Sequence, residues 1–176
     1  KRRIIEDLRP SSLSNLGLVA SLEILTREFA DRSGVEIETS LEPVELDEVS
    51  ELTIYRMVQE ALTNIGKYAN ATKVIVRVKN YTYHAEVTVQ DNGVGFDATR
   101  LPPASHGLVG MRHRVEASGG RLDINSRAGG GGSRITGTIP RAVPKPQSEL
   151  AESVGAMSSD SYKAPPPQTT AHDAAI

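Results

Sequence analysis

The sequence predicts an α+β fold with a mixed, mostly antiparallel sheet. Apolar residues recur at helical spacing in two long segments, and several short runs alternate with period two. The two kinds of segment do not follow a strict βαβ alternation, which disfavours a fully parallel sheet. No internal repeat is visible.

Taken in order, Pro10 ends an opening helical piece, and Ser14 or Asn15 caps a helix carrying Leu16, Val19, Leu22, Leu25 and Phe29 as far as Gly34. Val35 to Thr39 alternates and reads as a strand. A longer helix spans about Asp47 to Tyr68, with Leu52, Tyr55, Val58, Leu62 and Ile65 on one stripe. Residues 74–78 and 85–89 form a hairpin around Asn80, followed by the glycine-containing loop Asp91 to Phe96. After an irregular stretch with Pro102 and Pro103 comes a helix from about Leu108 to Ala117, stopped by Gly119 and Gly120. Two further strands, Arg121–Ser126 and Ser133–Ile139, flank a run of four glycines.

The 176 residues accommodate one domain with a tail. With 20 basic against 22 acidic residues the net charge is −2, so the composition does not support an electrostatic footprint for direct nucleic-acid binding. The absence of cysteine excludes disulfides, thiolate zinc sites and cysteine nucleophiles. No run reaches the roughly 18 apolar residues of a membrane span, and no signal-peptide pattern opens the chain, so a cytosolic setting is expected.

Of the 15 glycines only Gly155 lies after position 141, whereas five of the ten prolines do. Residues 141–176, rich in Pro, Ala and Ser, bury too little apolar surface to offset ordering entropy and read as a disordered tail. A transient helical turn near Glu149 to Val154, or a proline-module ligand at Pro165 to Pro167, is compatible with that. The chain opens at Lys1 inside a charged amphipathic segment and reads as a cut fragment.

Three segments have chemistry available. On the long helix Glu60 and Asn64 are four apart and Lys67 three further on, so a carboxylate, an amide and an ammonium share one face. Such a set suits magnesium, which takes one or two protein oxygens and completes its shell with water and substrate phosphates. A solvated helix face is the alternative. In Asp91-Asn92-Gly93-Val94-Gly95-Phe96 the strand-end carboxylate can accept from an exocyclic amine, and the glycines allow close backbone approach; an ordinary turn is the alternative. In His106-Gly107-Leu108-Val109-Gly110-Met111-Arg112 a loop becomes a helix whose free N–H groups suit phosphate, or is merely a flexible helix start. The second segment is neither a Walker loop nor a completed dinucleotide fingerprint.

In order and spacing these segments resemble the N, G1 and G2 boxes of the GHKL superfamily, which includes histidine kinases, gyrase-type topoisomerases, mismatch-repair ATPases and Hsp90 chaperones. Tyr55-Arg56-Met57-Val58-Gln59-Glu60-Ala61-Leu62-Thr63-Asn64 most resembles the N box of sensor histidine kinases of the nitrate-sensor subfamily. Asp91-x-Gly93-x-Gly95-Phe96 resembles their G1 box, and Gly107-Leu108-x-Gly110-Met111-Arg112-x-Arg114 their G2 region. Gly132-Ser133 is similar to the Gly-Thr pair beside the adenine-binding aspartate, and Leu8-Arg9-Pro10 to Gly17-Leu18 to the junction after the dimerisation helices.

The resemblance implies a two-layer sandwich with helices on one face, the Bergerat ATP-binding fold. It implies the end of a dimerisation and phosphotransfer helix with its junction over residues 1–17, the catalytic ATP-binding domain over 18–140, and the tail over 141–176. ATP and Mg2+ are the implied cofactors. Asn64 would ligate the metal, Glu60 would order or deprotonate groups around it, and Lys67 would reach a phosphate. Asp91 would read the adenine amine directly and through a water held by Ser133, with Gly93 and Gly95 letting the base approach. Gly107, Leu108, Gly110 and Met111 would belong to the ATP lid, with His106 bordering the phosphates. Tyr68 stands where this subfamily usually has histidine, Ser105 where a lid glycine is common, and Gly66 interrupts the helix.

The implied activity is transfer of the γ-phosphate to a histidine in an upstream dimerisation domain of a homodimer. The phosphate then passes to a response regulator with a helix-turn-helix output domain, in two-component signalling. The domain would be cytoplasmic, with the longer protein a candidate for inner-membrane anchoring. His84, His106, His113 and His172 lack the setting of a phosphoacceptor, so the acceptor is expected outside this chain. An anti-sigma-type serine kinase and a non-catalytic GHKL binding module are the competing readings.

Overall fold

The computed structural model describes residues 8–99 and 106–141. The opening helical piece before Leu8, residues Pro102, Pro103 and Ser105, and the segment beyond Arg141 with His172 lie outside the described residues. Helices α1 (Ser11–Leu16) and α2 (Leu18–Ser33) precede strand β1 (Glu36–Leu41) and helix α3 (Glu48–Asn64). Strands β2 (Lys73–Asn80) and β3 (His84–Asp91), helix α4 (His106–Ala117), and strands β4 (Arg121–Ser126) and β5 (Ser133–Pro140) complete the domain.

The five strands form one sheet in the order β1-β2-β3-β5-β4. Only the β1–β2 pair is parallel. Burial alternates along β2 and β3, with Val74, Val76, Val78, Ala85, Val87 and Val89 turned to the core. Their neighbours Arg77, Glu86, Thr88 and Gln90 occupy the opposite, polar face. Helix α3 packs on β3 and β5, α2 on β1, and α4 on β4 and β5, so the helices form the second layer. This matches the expected α+β sandwich.

Helix α3 starts where Asp47 accepts the Ser50 N–H at 2.7 Å, with Glu48 and Glu51 in a first turn that favours negative charge. Ile54, Val58 and Leu62 then descend into the core, each contributing roughly 1.5–3 kcal/mol by burial. Approach to the sheet is close: a Cβ at Gly137 of β5 would lie 2.5 Å from Met57 Sδ.

Two expectations about helices need correction. The predicted helix capped at Ser14 or Asn15 is two helices, because Gly17 adopts φ 82°, ψ 177° between them. Leu16 consequently ends α1 at 58% exposure and does not join the α2 stripe, whereas Leu13 enters the core. The long helix is α-helical only to Asn64; residues Ile65–Ala69 form a π-helical turn closed by Asn70 at φ 49°. Gly66 belongs to this turn and faces the Phe29 ring, whose Cε2 would lie 3.2 Å from an added Cβ.

Candidate functional site

Three strand ends meet in one row. Register pairs Asp91 at the end of β3 with Ser133 at the start of β5, and Ser133 with Ser126 at the end of β4. Asp91 is 6% exposed, and its Oδ1 accepts the Gly93 N–H at 2.8 Å. Burial pushes its carboxyl above the ordinary range, opposed by the backbone N–H groups of Gly93 and Ser133. Among the described residues no ion pair offsets this burial, and such a carboxylate is costly unless further donors reach it.

The loop after Asp91 is held from three sides. Asn92 Oδ1 accepts the Thr72 and Lys73 N–H groups, both at 3.0 Å, and its amide donates to Thr72 Oγ1 at 2.8 Å. Val94 N–H donates to Ala69 O at 2.8 Å, tying the loop to the π turn. Gly132 N–H donates to Gly93 O at 3.0 Å and Gly130 N–H to Val94 O at 2.9 Å, so the four-glycine turn backs the loop. Side chains are excluded at both predicted glycines. A Cβ at Gly93 would overlap Ala69 O, and one at Gly95, whose φ is +67°, would overlap Arg127 O. Both glycines are therefore demanded by the protein's own backbone, whatever their service to a ligand.

These elements enclose a cavity of about 300 Å3. Ala61, Ile65, Val89, Phe96, Leu108 and Ile135 supply apolar walls, and Asn64, Tyr68, Asp91 and Ser133 the polar groups. One buried acceptor at an apolar slot suits a flat heterocycle bearing an amine.

Of the sequence-predicted residues, Asn64, Asp91, Gly95, Gly107, Leu108 and Ser133 line this cavity. Gly93 is buried within the loop and does not line the cavity. Glu60 borders a neighbouring groove between α3 and α4, together with Arg56, Gln59, His113 and Arg114. It still touches the site, because a Cβ at Gly107 would overlap Glu60 Oε1. Lys67 is exposed and does not line the cavity. The π turn widens the helical repeat after Asn64, which removes Lys67 from the straight row with Glu60 and Asn64 expected of a regular helix. His106 is exposed at the first residue of α4, and Gly110 sits beside the Arg114 side chain, neither lining the cavity. Met111, expected at the lid, is 1% exposed in the hydrophobic core. Its spacing from Leu108 and Val115, three and four residues, is the apolar stripe that signals this.

Sequence reasoning missed Ser126, Asn92 as a structural clamp, and the walls Ala61, Ile65 and Ala69. The walls lie at core spacing beside the polar N-box residues, a signal that a helix end borders a cavity. Ser126 carries no local signal, since only register brings it to Ser133.

The fit to the implied cofactors is chemical. The slot with its buried acceptor suits adenine, and the half-exposed Asn64 amide supplies one hard oxygen. Among the described residues no cluster of three His, Cys, Asp or Glu side chains exists, so magnesium here would rely on substrate phosphates and water.

Residues 49–143 match the family profile of histidine kinase-, DNA gyrase B- and HSP90-like ATPases. The chain is 36% identical over 156 residues to the sensor histidine kinase MctS of Rhizobium johnstonii, covering 86% of this chain and 33% of that protein. It is 36% identical over 132 residues to the signal transduction histidine-protein kinase/phosphatase DegS of Brevibacillus brevis, with coverage of 74% and 34%. Against UhpB of Salmonella typhimurium, another kinase/phosphatase, identity is 34% over 147 residues, with coverage of 80% and 28%. The chain thus spans about a third of the length of these relatives. Among solved structures, the blue-light activated histidine kinase of Erythrobacter litoralis superposes with TM-score 0.61 at 22% identity, over 76% of this chain and 43% of that one. The mycobacterial sensor histidine kinase MprB gives 0.57 at 22%, over 71% and 95%. These likenesses establish the fold, and the family match covers more than half of the sequence. The chain belongs to the histidine kinase-, DNA gyrase B- and HSP90-like ATPases.

Proposed function

We propose that this chain is the catalytic, ATP-binding part of a two-component sensor histidine kinase. The observation that carries the reading is the buried Asp91, without an ion pair among the described residues, beside an apolar slot that Asn64 also lines. Asp91 would accept the adenine amine, with Ser133 beside it. Asn64 would offer its amide oxygen to Mg2+, which when bound supplies charge neutralisation at the transferring phosphoryl group. Glu60, next to Gly107, would orient groups around the phosphates. Gly107, Leu108 and Gly110 would carry the lid, His106 would border it, and Lys67 would reach a phosphate from outside the slot.

The acceptor histidine would stand in an upstream dimerisation domain, and residues 1–17, 18–140 and 141–176 would be the junction, the ATP-binding domain and the tail. A response regulator with a helix-turn-helix output would receive the phosphate from a homodimeric, cytoplasmically disposed kinase, the longer protein being a candidate for inner-membrane anchoring. The similarity of Tyr55 to Asn64 to the nitrate-sensor N box supports assignment to that subfamily. Among the described residues no helix is long and apolar enough to cross a membrane.

Thermal melting with ATP and Mg2+ tests the reading. Occupancy at a hundred times Kd should add about 2.7 kcal/mol, and Asn64→Ala or Asp91→Ala should abolish the gain. No shift in the unmodified chain would favour a non-catalytic binding module.

A further inference from the structure

Among the 176 residues Asn92 is the only asparagine followed by glycine, and it is exposed. Such a pair can rearrange without any enzyme. The Gly93 backbone nitrogen bonds to Asn92 Cγ, the Cγ–Nδ2 bond breaks, and ammonia departs carrying the Gly93 proton, which leaves a five-membered imide. Water then opens the imide at either carbonyl and yields aspartate or isoaspartate at position 92. Glycine favours the closure because no side chain obstructs its nitrogen. In this fold, however, both reacting groups are engaged. Asn92 Oδ1 accepts the Thr72 and Lys73 N–H groups, both at 3.0 Å, Nδ2 donates to Thr72 Oγ1 at 2.8 Å, and the Gly93 N–H donates to Asp91 Oδ1 at 2.8 Å. An imide keeps neither Nδ2 nor the Gly93 proton, so closing the ring inside the folded loop forfeits two of these bonds, one of them to a carboxyl that is 6% exposed.

We propose that Asn92 is a latent deamidation and isomerisation site whose reaction is blocked while the loop 91–96 is closed, so that the modification records loop opening. The inference rests on these bonds and holds whatever ligand the cavity takes. The two products fare differently when the loop recloses. An aspartate at 92 still accepts the Thr72 and Lys73 N–H groups, and the Thr72 hydroxyl turns to donate to it. Isoaspartate routes the main chain through the former side chain and lengthens it by one carbon between Asp91 and Gly93. The surroundings leave little room for that slack. A Cβ at Gly93 would already overlap Ala69 O, the Val94 N–H is bonded to the same oxygen at 2.8 Å, and Gly93 O accepts the Gly132 N–H at 3.0 Å. The isoaspartyl chain therefore displaces Gly93, and with it one of the two backbone N–H groups that offset the burial of Asp91.

The test ages the full chain in mildly alkaline buffer well below its melting temperature, beside the same chain unfolded in urea. Deamidation at each asparagine is followed by peptide mass mapping, with chromatographic separation of the aspartyl and isoaspartyl forms. Unfolded, Asn92 should react before every other asparagine. Folded, it should react at least about a hundredfold more slowly, because a segment held by several hydrogen bonds must first open. Thr72→Val replaces the exposed hydroxyl by a methyl and should speed the folded reaction about two- to tenfold without changing the unfolded rate, whereas Thr72→Ser should stay slow. Asn92→Asp should melt within about 4 °C of the unmodified chain, and chain isolated in the isoaspartyl form and refolded should melt at least about 8 °C below it. Equal folded and unfolded rates at Asn92, or another asparagine reacting first in urea, overturn the proposal. So does a Thr72→Val chain that reacts no faster than the unmodified one, or an isoaspartyl chain as stable as Asn92→Asp. If Thr72→Val does not fold, the unmodified chain and Thr72→Ser decide the matter by the ratio of folded to unfolded rates.

Discussion

Gly107→Ala should separate stability from chemistry. Gly107 is the second residue of α4, so the gain from alanine as the better helix former is at most the helix-interior value of about 1 kcal/mol. The added Cβ would overlap Glu60 Oε1 and stand 2.8 Å from Glu60 Cδ and 3.4 Å from its Cγ. The three nearest atoms among the described residues all belong to the flexible Glu60 side chain, so the helix keeps its place and Glu60 swings aside at a rotamer cost of about 0.5–1.5 kcal/mol. The two contributions nearly cancel, and the melting temperature should stay within about 4 °C of the unmodified chain. Glu60 ends more than an ångström from its present position, a displacement that costs on the order of a hundredfold where orientation governs rate. The assay is phosphotransfer at saturating ATP in a longer protein carrying the upstream histidine, beside melting of the present chain. Glu60→Gln should show a comparable rate loss. A Gly107→Ala protein with an undiminished rate would refute the role given to Glu60, and a fall in melting temperature above about 10 °C would refute the geometry.

Gly95→Ala should cost at least about 3 kcal/mol in urea unfolding, because left-handed backbone and the overlap with Arg127 O add together. Asp47→Ala should cost about 1 kcal/mol at pH 7 through the lost cap. Backbone and side-chain hydrogen bonds from Ser50 hold the Asp47 pKa below its ordinary value, so this contribution is complete above the unfolded carboxylate range and vanishes as pH falls through the lowered folded value. The difference between the two proteins should close over that acid window. For Asp91 the sign is opposite: burial raises its pKa, so the carboxylate is lost at a pH above the ordinary range. ATP affinity relative to Asp91→Asn should fall as pH drops through that raised value, and parallel pH profiles for the two proteins would contradict the assignment.

Period-two and helical patterns sufficed for all five strands, since Val74 to Val78 and Ala85 to Val89 alternate so cleanly that one face had to be buried. Both interruptions of the helices were present as residues, Gly17 and Gly66, but their effects depend on tertiary partners. Gly17 breaks a helix so that Leu13 reaches the core, and Gly66 permits a π turn against Phe29. Motif spacing brought out Asn64, Asp91 and Ser133, whose side chains converge. It misplaced Met111 because a motif records that positions recur together without recording which way each faces. Long-range backbone bonds, such as Gly132 to Gly93 and Val94 to Ala69, are invisible in any window of sequence.

Helix α3 joins the two ends of the domain's chemistry. Its first half holds the entering chain: Arg9 donates to Glu48 O and to Glu51 Oε2, each at 2.7 Å, and Arg56 donates to Leu8 O at 2.9 Å. Its C-terminal end carries Glu60 and Asn64. The Arg9–Glu51 side chains are 22% and 20% exposed, so solvent screens the pair and its stabilisation stays near 1 kcal/mol or below. Orientation matters more than that magnitude. Two arginines fix where residues 8–10 cross α3, Leu13 is buried three residues later, and the helix between these anchors and Asn64 is packed through Ile54, Val58 and Leu62. A rotation of the entering segment must therefore break these bonds or move α3, and moving α3 moves Asn64 relative to Asp91, which the sheet holds in place.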